Sequence, residues 1–211
     1  MRAFIFSGGR IRPELIHERP SDGDITIAAD GGFQNAELLG ISVSYLIGDF
    51  DSFGEREPER TVPHSTEVIR VPKEKDATDT QLAAALALEK GADEILIIAG
   101  LSGRLDHTLS SLSILQSLDE KRIRAIMTDG QNRVRFIRST SYLIARSEYR
   151  YLSLIAVDKI VKGVSIEGCK YPLKNARLLR GFQYAVSNEL IGNCALISVK
   201  KGGIYIIEST D

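Results

Sequence analysis

The sequence predicts an α/β domain built on a parallel sheet, followed by a small antiparallel β domain. Two observations support this fold class. In the first two thirds of the chain, apolar strand-like runs alternate with segments that suit helices, which is typical of a parallel sheet covered on both faces. After Asp129 we find no convincing helix, and short runs of alternating polar and apolar residues follow one another. We therefore place the two domains at residues 1–130 and 131–211.

The first domain is predicted to contain three helices and six strands. The clearest helix is 78–90, which is rich in helix formers and is followed by Gly91 as a stop. A second helix at 107–118 has leucines at helical spacing, and a short one is expected at 33–39. The strands are expected at 2–6, 24–29, 43–47, 68–71, 95–99 and 123–127.

The second domain is predicted to consist of short strands alone. The last two flank Lys200-Lys201-Gly202-Gly203, and two glycines between alternating runs predict a hairpin. The strands are expected at 134–137, 141–145, 151–157, 164–167, 196–199 and 204–208.

Composition and charge exclude several classes of partner. The 211 residues carry a net charge of −1, so the chain as a whole lacks the basic footprint of a protein that binds nucleic acid or anionic lipid. No apolar run approaches the length of a membrane span. The first residues lack the apolar core of a secretory signal. We expect a cytoplasmic protein that binds neither nucleic acid nor membrane.

Glycines and carboxylates follow the predicted strands of the first domain. Parallel strands place these loops on one edge of the sheet, where open α/β sheets bind ligands, so we expect the side chains to gather there. The loops are Ser7-Gly8-Gly9, Asp30-Gly31-Gly32, Gly48-Asp49-Phe50-Asp51-Ser52, Lys75-Asp76-Ala77-Thr78-Asp79, the segment 100–107 and Thr128-Asp129-Gly130.

The carboxylates of these loops predict a cation site. Each has an ordinary structural explanation, since Asp-Gly is a common turn and Asp76, Thr78 or Asp106 can cap the following helix. Together, however, carboxylates on one rim repel each other, and Mg²⁺ bound by carboxylate and phosphate oxygens would offset that repulsion. In an extended segment Asp49 and Asp51 face the same way, with Phe50 pointing into the core. The expected acidic rim comprises Asp30, Asp49, Asp51, Asp76, Asp79 and Asp106.

Phosphate is the ligand that best suits the remaining residues of these loops. Glycines let main-chain amides approach phosphate, and Lys75 and Arg104 are the cations best placed to bind its oxygens. His107 is more often a first-turn helix residue than a catalytic base in this setting, because no spacing suggests a triad. Neither a Walker A motif nor G-x-G-x-x-G occurs. The residues therefore predict a metal-assisted, phosphate-handling enzyme.

The ordered motifs of the chain resemble those of the thiamine pyrophosphokinase family. In the first domain these are the acidic loops described above and Gly103-Arg104-x-Asp106-His107. In the second they are Gly168-Cys169-Lys170-Tyr171-Pro172-Leu173 and Ser187-Asn188-Glu189. The resemblance implies that the second domain is a β-sandwich. It also implies transfer of diphosphate from ATP to the hydroxyl of thiamine, and a homodimer whose sites combine the α/β domain of one subunit with the β domain of the other.

The resemblance also implies roles for individual residues. Asp49, Asp51 and Asp79 would hold Mg²⁺, and Asp76 would complete the acidic catalytic site. Tyr171, Ser187 and Asn188 would contact thiamine, with Tyr171 at the position where animal and yeast relatives stack a tryptophan on it. Asp79 is the candidate for the base that accepts the hydroxyl proton. The nucleotide or its phosphates would be bound by Asp30, Lys75, Thr78, Arg104, Asp106 and His107.

Two alternatives stay open at this point. A diphosphokinase for a pterin alcohol would share the acidic motifs, although Tyr171 and Ser187-Asn188-Glu189 favour thiamine. A non-catalytic sensor of thiamine or nucleotide would share the fold, although it would have no need of paired metal ligands.

Overall fold

The computed structural model describes residues 1–50, 62–74 and 76–211, and the chain divides into two compact units, Met1–Gly130 and Gln131–Asp211. Asp51 and Lys75, which the sequence places in the candidate site, lie outside the described residues. The same holds for most of the polar segment that follows Asp51.

The first unit is an α/β domain with a parallel sheet, as predicted. Its strands lie in the order β4-β3-β2-β1-β5-β6, and every neighbouring pair is parallel. The chain builds outward from β1 to β4 and then returns to add β5 on the other side of β1, so the sheet has a topological switch point between β1 and β5. The strands are β1 (Arg2–Phe6), β2 (Ile25–Ala29), β3 (Tyr45–Gly48), β4 (Glu67–Arg70), β5 (Glu94–Ile98) and β6 (Arg124–Thr128).

Three α-helices of the first unit are described: α1 (Phe33–Leu38), α2 (Asp79–Glu89) and α3 (Leu105–Glu120). Short 3₁₀ turns occupy Pro13–Leu15 and Asp30–Gly32. The strands are hydrophobic on both faces because helices and loops cover them, and the fully buried side chains include Phe4, Phe6, Ile27, Leu46 and Ile98.

The second unit is a β-sandwich of two antiparallel sheets. One contains β7-β13-β9 and the other β11-β10-β12-β8. A single apolar cluster, with Leu154 and Ile206 from the first sheet and Val164 and Ile197 from the second, fills the space between them. The strands are β7 (Asn132–Arg138), β8 (Ser141–Ala145), β9 (Tyr151–Ala156), β10 (Ile160–Glu167), β11 (Leu173–Leu179), β12 (Cys194–Ser198) and β13 (Gly203–Ser209).

The predicted hairpin at 200–203 is wrong. β12 pairs with β8 and β10, whereas β13 pairs with β7 and β9, so this turn carries the chain from one sheet to the other. The prediction also missed β11, which reads LKNARLL and interrupts its apolar residues with Lys174, Asn175 and Arg177. Of its seven residues only Leu178 is buried, so β11 lacks the apolar alternation that marks the other strands.

In the described part of the chain, no helix combines the length and the apolar character needed to cross a membrane.

Candidate active site

A cleft of about 500 Å³ opens at the carboxyl ends of β1, β2 and β5, next to the switch point of the sheet. Its walls are the loops that follow these three strands and the first turns of α2 and α3. The lining combines glycines, hydroxyls and charged groups, and among the predicted site residues it includes Asp30, Thr78, Asp79, Arg104 and His107.

Three carboxylates converge at this edge of the sheet. Asp30, Asp49 and Asp79 each offer one oxygen, and these oxygens all lie within 4.8 Å of one another. Asp30 follows β2, Asp49 follows β3 and Asp79 begins α2, so neighbouring parallel strands and one helix start bring them together. All three residues are partly buried. The arrangement concentrates negative charge where water screens it only in part.

This donor set fits a hard divalent cation. Carboxylate oxygens are the protein ligands that Mg²⁺ prefers. The Oδ1 atom of Asp30 is buried and has no hydrogen-bond partner among the described residues. A buried polar atom left in this way is costly unless something outside the protein satisfies it.

Two glycines permit the close packing that holds this cluster. A Cβ on Gly32 would lie 1.9 Å from the carbonyl oxygen of Phe6, so only glycine lets the turn after β2 approach the end of β1. A Cβ on Gly48 would lie only 3.0 Å from Cβ of Asp30. The absence of a side chain at Gly48 therefore allows the ends of β2 and β3 to approach each other. These contacts give the motif glycines a definite structural role.

The loop after β1 is fixed by side chains that sequence reasoning missed. The buried amide of Asn35 donates to the carbonyl oxygens of Ser7 at 2.8 Å and Gly9 at 3.0 Å. The hydroxyls of Ser7 and Thr80 lie 2.8 Å apart and join the β1 loop to α2. The position of Ser7 at the end of a predicted strand could have marked it as a site residue. No motif or residue spacing in the sequence marks Asn35 or Thr80.

Ser102 joins the loops on the two sides of the switch point. Its hydroxyl accepts a hydrogen bond from the N–H of Arg10 at 2.7 Å and donates to the carbonyl of Arg10 at 3.2 Å. The glycine-rich loops after β1 and β5 are therefore connected, and both line the cleft.

Arg104 and Asp106 form an exposed ion pair at the start of α3. Two hydrogen bonds of 3.2 and 2.6 Å run from the guanidinium to the carboxylate, and the N–H of His107 adds a third at 2.9 Å. These bonds lower the pKa of Asp106, and the carboxylate in turn raises the pKa of Arg104. The guanidinium is thus charged and oriented at the mouth of the cleft.

Thr78 is the N-cap of α2, which is one of the structural roles expected for it from the sequence. Its hydroxyl accepts from the N–H of Gln81 at 3.3 Å, and the side chain of Gln81 accepts from the N–H of Thr78 at 2.8 Å. This capping box fixes the helix start that carries Asp79. Asp76 is exposed and is not one of the three carboxylates that converge.

The expected extended geometry around Phe50 is wrong. β3 ends at Gly48, and Phe50 has a φ of 65°, in the left-handed region. Its ring is nevertheless buried in the core of the unit, as predicted. The main chain turns at Phe50 while its ring packs in the core, so alternation along an extended strand does not describe this segment.

The residues expected to contact thiamine lie on the β-sandwich. Tyr171 is 59% exposed, and Ser187 is exposed with a φ of 55°. Asn188 is 4% exposed, and its side chain bonds to the main chain of Tyr171. Tyr171 and Ser187 are thus accessible to a ligand, whereas Asn188 is engaged within the protein.

Comparison with known proteins identifies the family. A model of the thiamin pyrophosphokinase catalytic domain matches residues 17–127, and a model of the thiamin pyrophosphokinase vitamin B1 binding domain matches residues 141–204. The chain belongs to the thiamin pyrophosphokinase family. The two matches fall within the two structural units, in the same order.

Individual thiamin pyrophosphokinases support this membership. A thiamine pyrophosphokinase from Bacillus subtilis (strain 168) is 34% identical over 186 residues, 88% of this chain and 87% of that protein. A solved structure of thiamine pyrophosphokinase from Bacillus subtilis superposes with a TM-score of 0.89 at 30% identity, covering 100% of both chains. One from Geobacillus thermodenitrificans gives a TM-score of 0.86 at 26% identity, covering 100% of this chain and 98% of that chain. These matches do not favour a pterin diphosphokinase or a sensor.

Proposed function

We propose that this thiamin pyrophosphokinase family member transfers the diphosphate of ATP to the hydroxyl of thiamine, giving thiamine diphosphate and AMP. The observation that carries the proposal is the convergence of Asp30, Asp49 and Asp79 beside a glycine-lined cleft, in a chain that matches both domains of the family. Three converging carboxylates suit a bound divalent cation, which diphosphate transfer from ATP would use.

The acidic cluster is the proposed site of Mg²⁺. Asp49, Asp51 and Asp79 were the expected ligands, and the convergence of Asp30 with Asp49 and Asp79 adds Asp30 as a fourth candidate. When bound, Mg²⁺ would neutralise phosphate oxygens and the charge that develops on them during transfer. A cation at this place would also satisfy the buried Oδ1 of Asp30, which has no hydrogen-bond partner among the described residues.

The cleft is the proposed site of the ATP polyphosphate. Main-chain amides of the glycine-rich loops and the oriented guanidinium of Arg104 are donors suited to phosphate oxygens. The ion pair with Asp106 orients that guanidinium. Thr78 and His107 also line the cleft. Lys75 and Asp76, which come shortly before Thr78 in the sequence, remain candidates for binding the nucleotide and completing the acidic site, and Asp79 remains the candidate for accepting the hydroxyl proton.

Thiamine is the proposed ligand of the β-sandwich surface around Tyr171 and Ser187. An exposed tyrosine ring suits a flat heterocycle and a thiazolium cation. We further propose that the protein is a homodimer, as its family resemblance implies, and that it is cytoplasmic.

Product analysis tests the proposed function. The pure protein is incubated with ATP, Mg²⁺ and thiamine, and the nucleotides and thiamine esters are separated by chromatography. We expect AMP and thiamine diphosphate in equal amounts, because one diphosphate moves per ATP. Formation of ADP with thiamine monophosphate would contradict diphosphate transfer, and a matched reaction with a pterin alcohol in place of thiamine should give no product.

A further inference from the structure

The recorded hydrogen bonds of the Asn188 side chain all go to neighbouring main chain. Its Oδ1 accepts from the N–H of Tyr171 at 2.9 Å and from the N–H of Glu189 at 3.0 Å, and its Nδ2 donates to the carbonyl of Tyr171 at 2.7 Å. The residue is 4% exposed. Asn188 thus bonds both the donor and the acceptor of a single residue, Tyr171.

This pair of bonds continues a short main-chain ladder. The main-chain N–H of Lys170 donates to the carbonyl of Glu189 at 2.9 Å, and the N–H of Ile191 donates to the carbonyl of Gly168 at 3.0 Å. Between them, Cys169 and Leu190 form an antiparallel β-bridge. At Tyr171, the residue after Lys170, the side-chain carboxamide of Asn188 makes the two hydrogen bonds that a main-chain peptide group would make in such a ladder. A carboxamide supplies a donor and an acceptor together, which a carboxylate or an alkyl group of similar size cannot do.

The main chain of Asn188 is itself anchored to the sandwich. It exchanges hydrogen bonds of 2.8 and 3.0 Å with Leu152, which lies in β9. One residue therefore ties the Tyr171 segment to the sheet, while the Tyr171 ring stays 59% exposed. A ring with a fixed main chain and an accessible face is held ready for a ligand, which reduces the entropy lost on binding.

We propose that Asn188 is a positioning residue that sets the orientation of Tyr171, and that it does not itself contact thiamine. This inference rests on the proposed function, since Tyr171 is taken to bind thiamine. It revises the role that the family resemblance gave Asn188.

A double-mutant cycle tests this role. Asn188→Leu keeps the branched shape and removes both bonds to Tyr171, and Asn188→Asp keeps only the acceptor. Thiamine affinity is measured by calorimetry with a non-hydrolysable ATP analogue present. We expect Asn188→Leu and Tyr171→Ala each to weaken thiamine binding roughly tenfold, the scale of one lost aromatic contact, and the double variant to be no weaker than Tyr171→Ala alone. Asn188→Asp should fall between wild type and Asn188→Leu.

The controls separate positioning from unfolding and from direct contact. Affinity for the ATP analogue should stay within about twofold in every variant, since the cleft residues are untouched. Asn193→Asp, an exposed neighbour, should leave thiamine binding unchanged. If the losses from Asn188→Leu and Tyr171→Ala multiply in the double variant, Asn188 contacts thiamine directly and the inference is wrong.

A second measurement needs no ligand. The chain contains no tryptophan, so Tyr171→Trp introduces a single fluorescent probe at this position. We expect its anisotropy to fall when Asn188→Leu is added, and unchanged anisotropy would overturn the positioning role whatever the substrate. A wild-type protein that binds no thiamine would refute the proposed function instead, and the anisotropy would still decide whether Asn188 positions residue 171.

Discussion

At the scale of single residues, the carboxylates of Asp30, Asp49 and Asp79 suit a bound cation but destabilise the folded protein without one. Three partly buried carboxylates with oxygens within 4.8 Å raise the free energy of the folded protein when no cation is present. Natural proteins retain such arrangements at functional sites, and neutralising one member commonly stabilises the fold while reducing activity.

This conflict gives a prediction for Asp30→Asn. In buffer with a chelator, the variant should be more stable than wild type by about 1 kcal/mol, because one source of repulsion is removed. With Mg²⁺ and both substrates, its turnover should fall by at least about tenfold, because a charged ligand is lost. Urea unfolding and AMP release measure the two effects.

The matched control is Asp22→Asn, which changes an exposed aspartate away from the cleft and should alter neither quantity. Full turnover in Asp30→Asn would remove Asp30 from the proposed metal site.

The sequence placed all three carboxylates of this cluster on one expected acidic rim, but it did not assign Asp30 to the metal. Asp49 and Asp79 were expected as metal ligands from their motifs, whereas Asp30 was assigned to the nucleotide. What brings Asp30 to them is the pairing of β2 with β3, together with the absence of a side chain at Gly48. Strand order is a property of the folded sheet, and a one-dimensional motif does not contain it.

At the scale of secondary structure, the predictions succeeded where periodicity was strong. The parallel strands and the helices of the first unit were located to within one or two residues, because their apolar runs and helix formers are local signals. β11 was missed because its polar and apolar residues do not alternate and only Leu178 is buried. The turn at 200–203 was located, but local sequence does not tell whether a turn joins two strands of one sheet or crosses between sheets.

The junction of β1 and β2 depends on Asp24. Its carboxylate accepts hydrogen bonds from the main chain and guanidinium of Arg2 and from the N–H and hydroxyl of Ser21. Burial opposes ionisation of this group, but the bonds from Arg2 and Ser21 outweigh it and hold the pKa of Asp24 well below its usual value. Asp24 therefore stabilises the fold in its charged form.

The pH dependence of stability follows from this lowered pKa. The contribution of Asp24 should be complete above its ordinary pKa of about 3.9 and should be lost progressively as the pH falls below that value. We expect Asp24→Asn to be less stable than wild type by about 2 kcal/mol at pH 7, since hydrogen bonds to a charged group are lost. The difference should narrow between about pH 4 and pH 2.

Urea unfolding at several pH values measures this difference, with Asp22→Asn as the control from the same loop. A difference that stays constant as the pH falls would show that the Asp24 bonds do not depend on its ionisation.

At the scale of the whole molecule, the near-neutral net charge conceals two charged units. Residues 1–130 contain 14 Lys and Arg against 22 Asp and Glu, whereas residues 131–211 contain 13 against 6. The α/β unit therefore carries −8 and the β-sandwich +7, so composition of the complete chain understated the charge on each part. Opposite charges would favour association of unlike units in a dimer, more strongly at low salt.

The last prediction tests whether the proposed homodimer shares its sites between subunits, as the family resemblance implies. Asp49→Asn and the double variant Tyr171→Ala/Ser187→Ala should each be inactive alone. After subunit exchange, a mixed dimer with shared sites has one site with both defects and one with neither. Random exchange makes half of the dimers mixed, so about a quarter of all sites should regain activity under C₂ symmetry. Mass spectrometry of isotope-labelled chains verifies exchange, and if exchange occurs without recovery, each site is built within one chain.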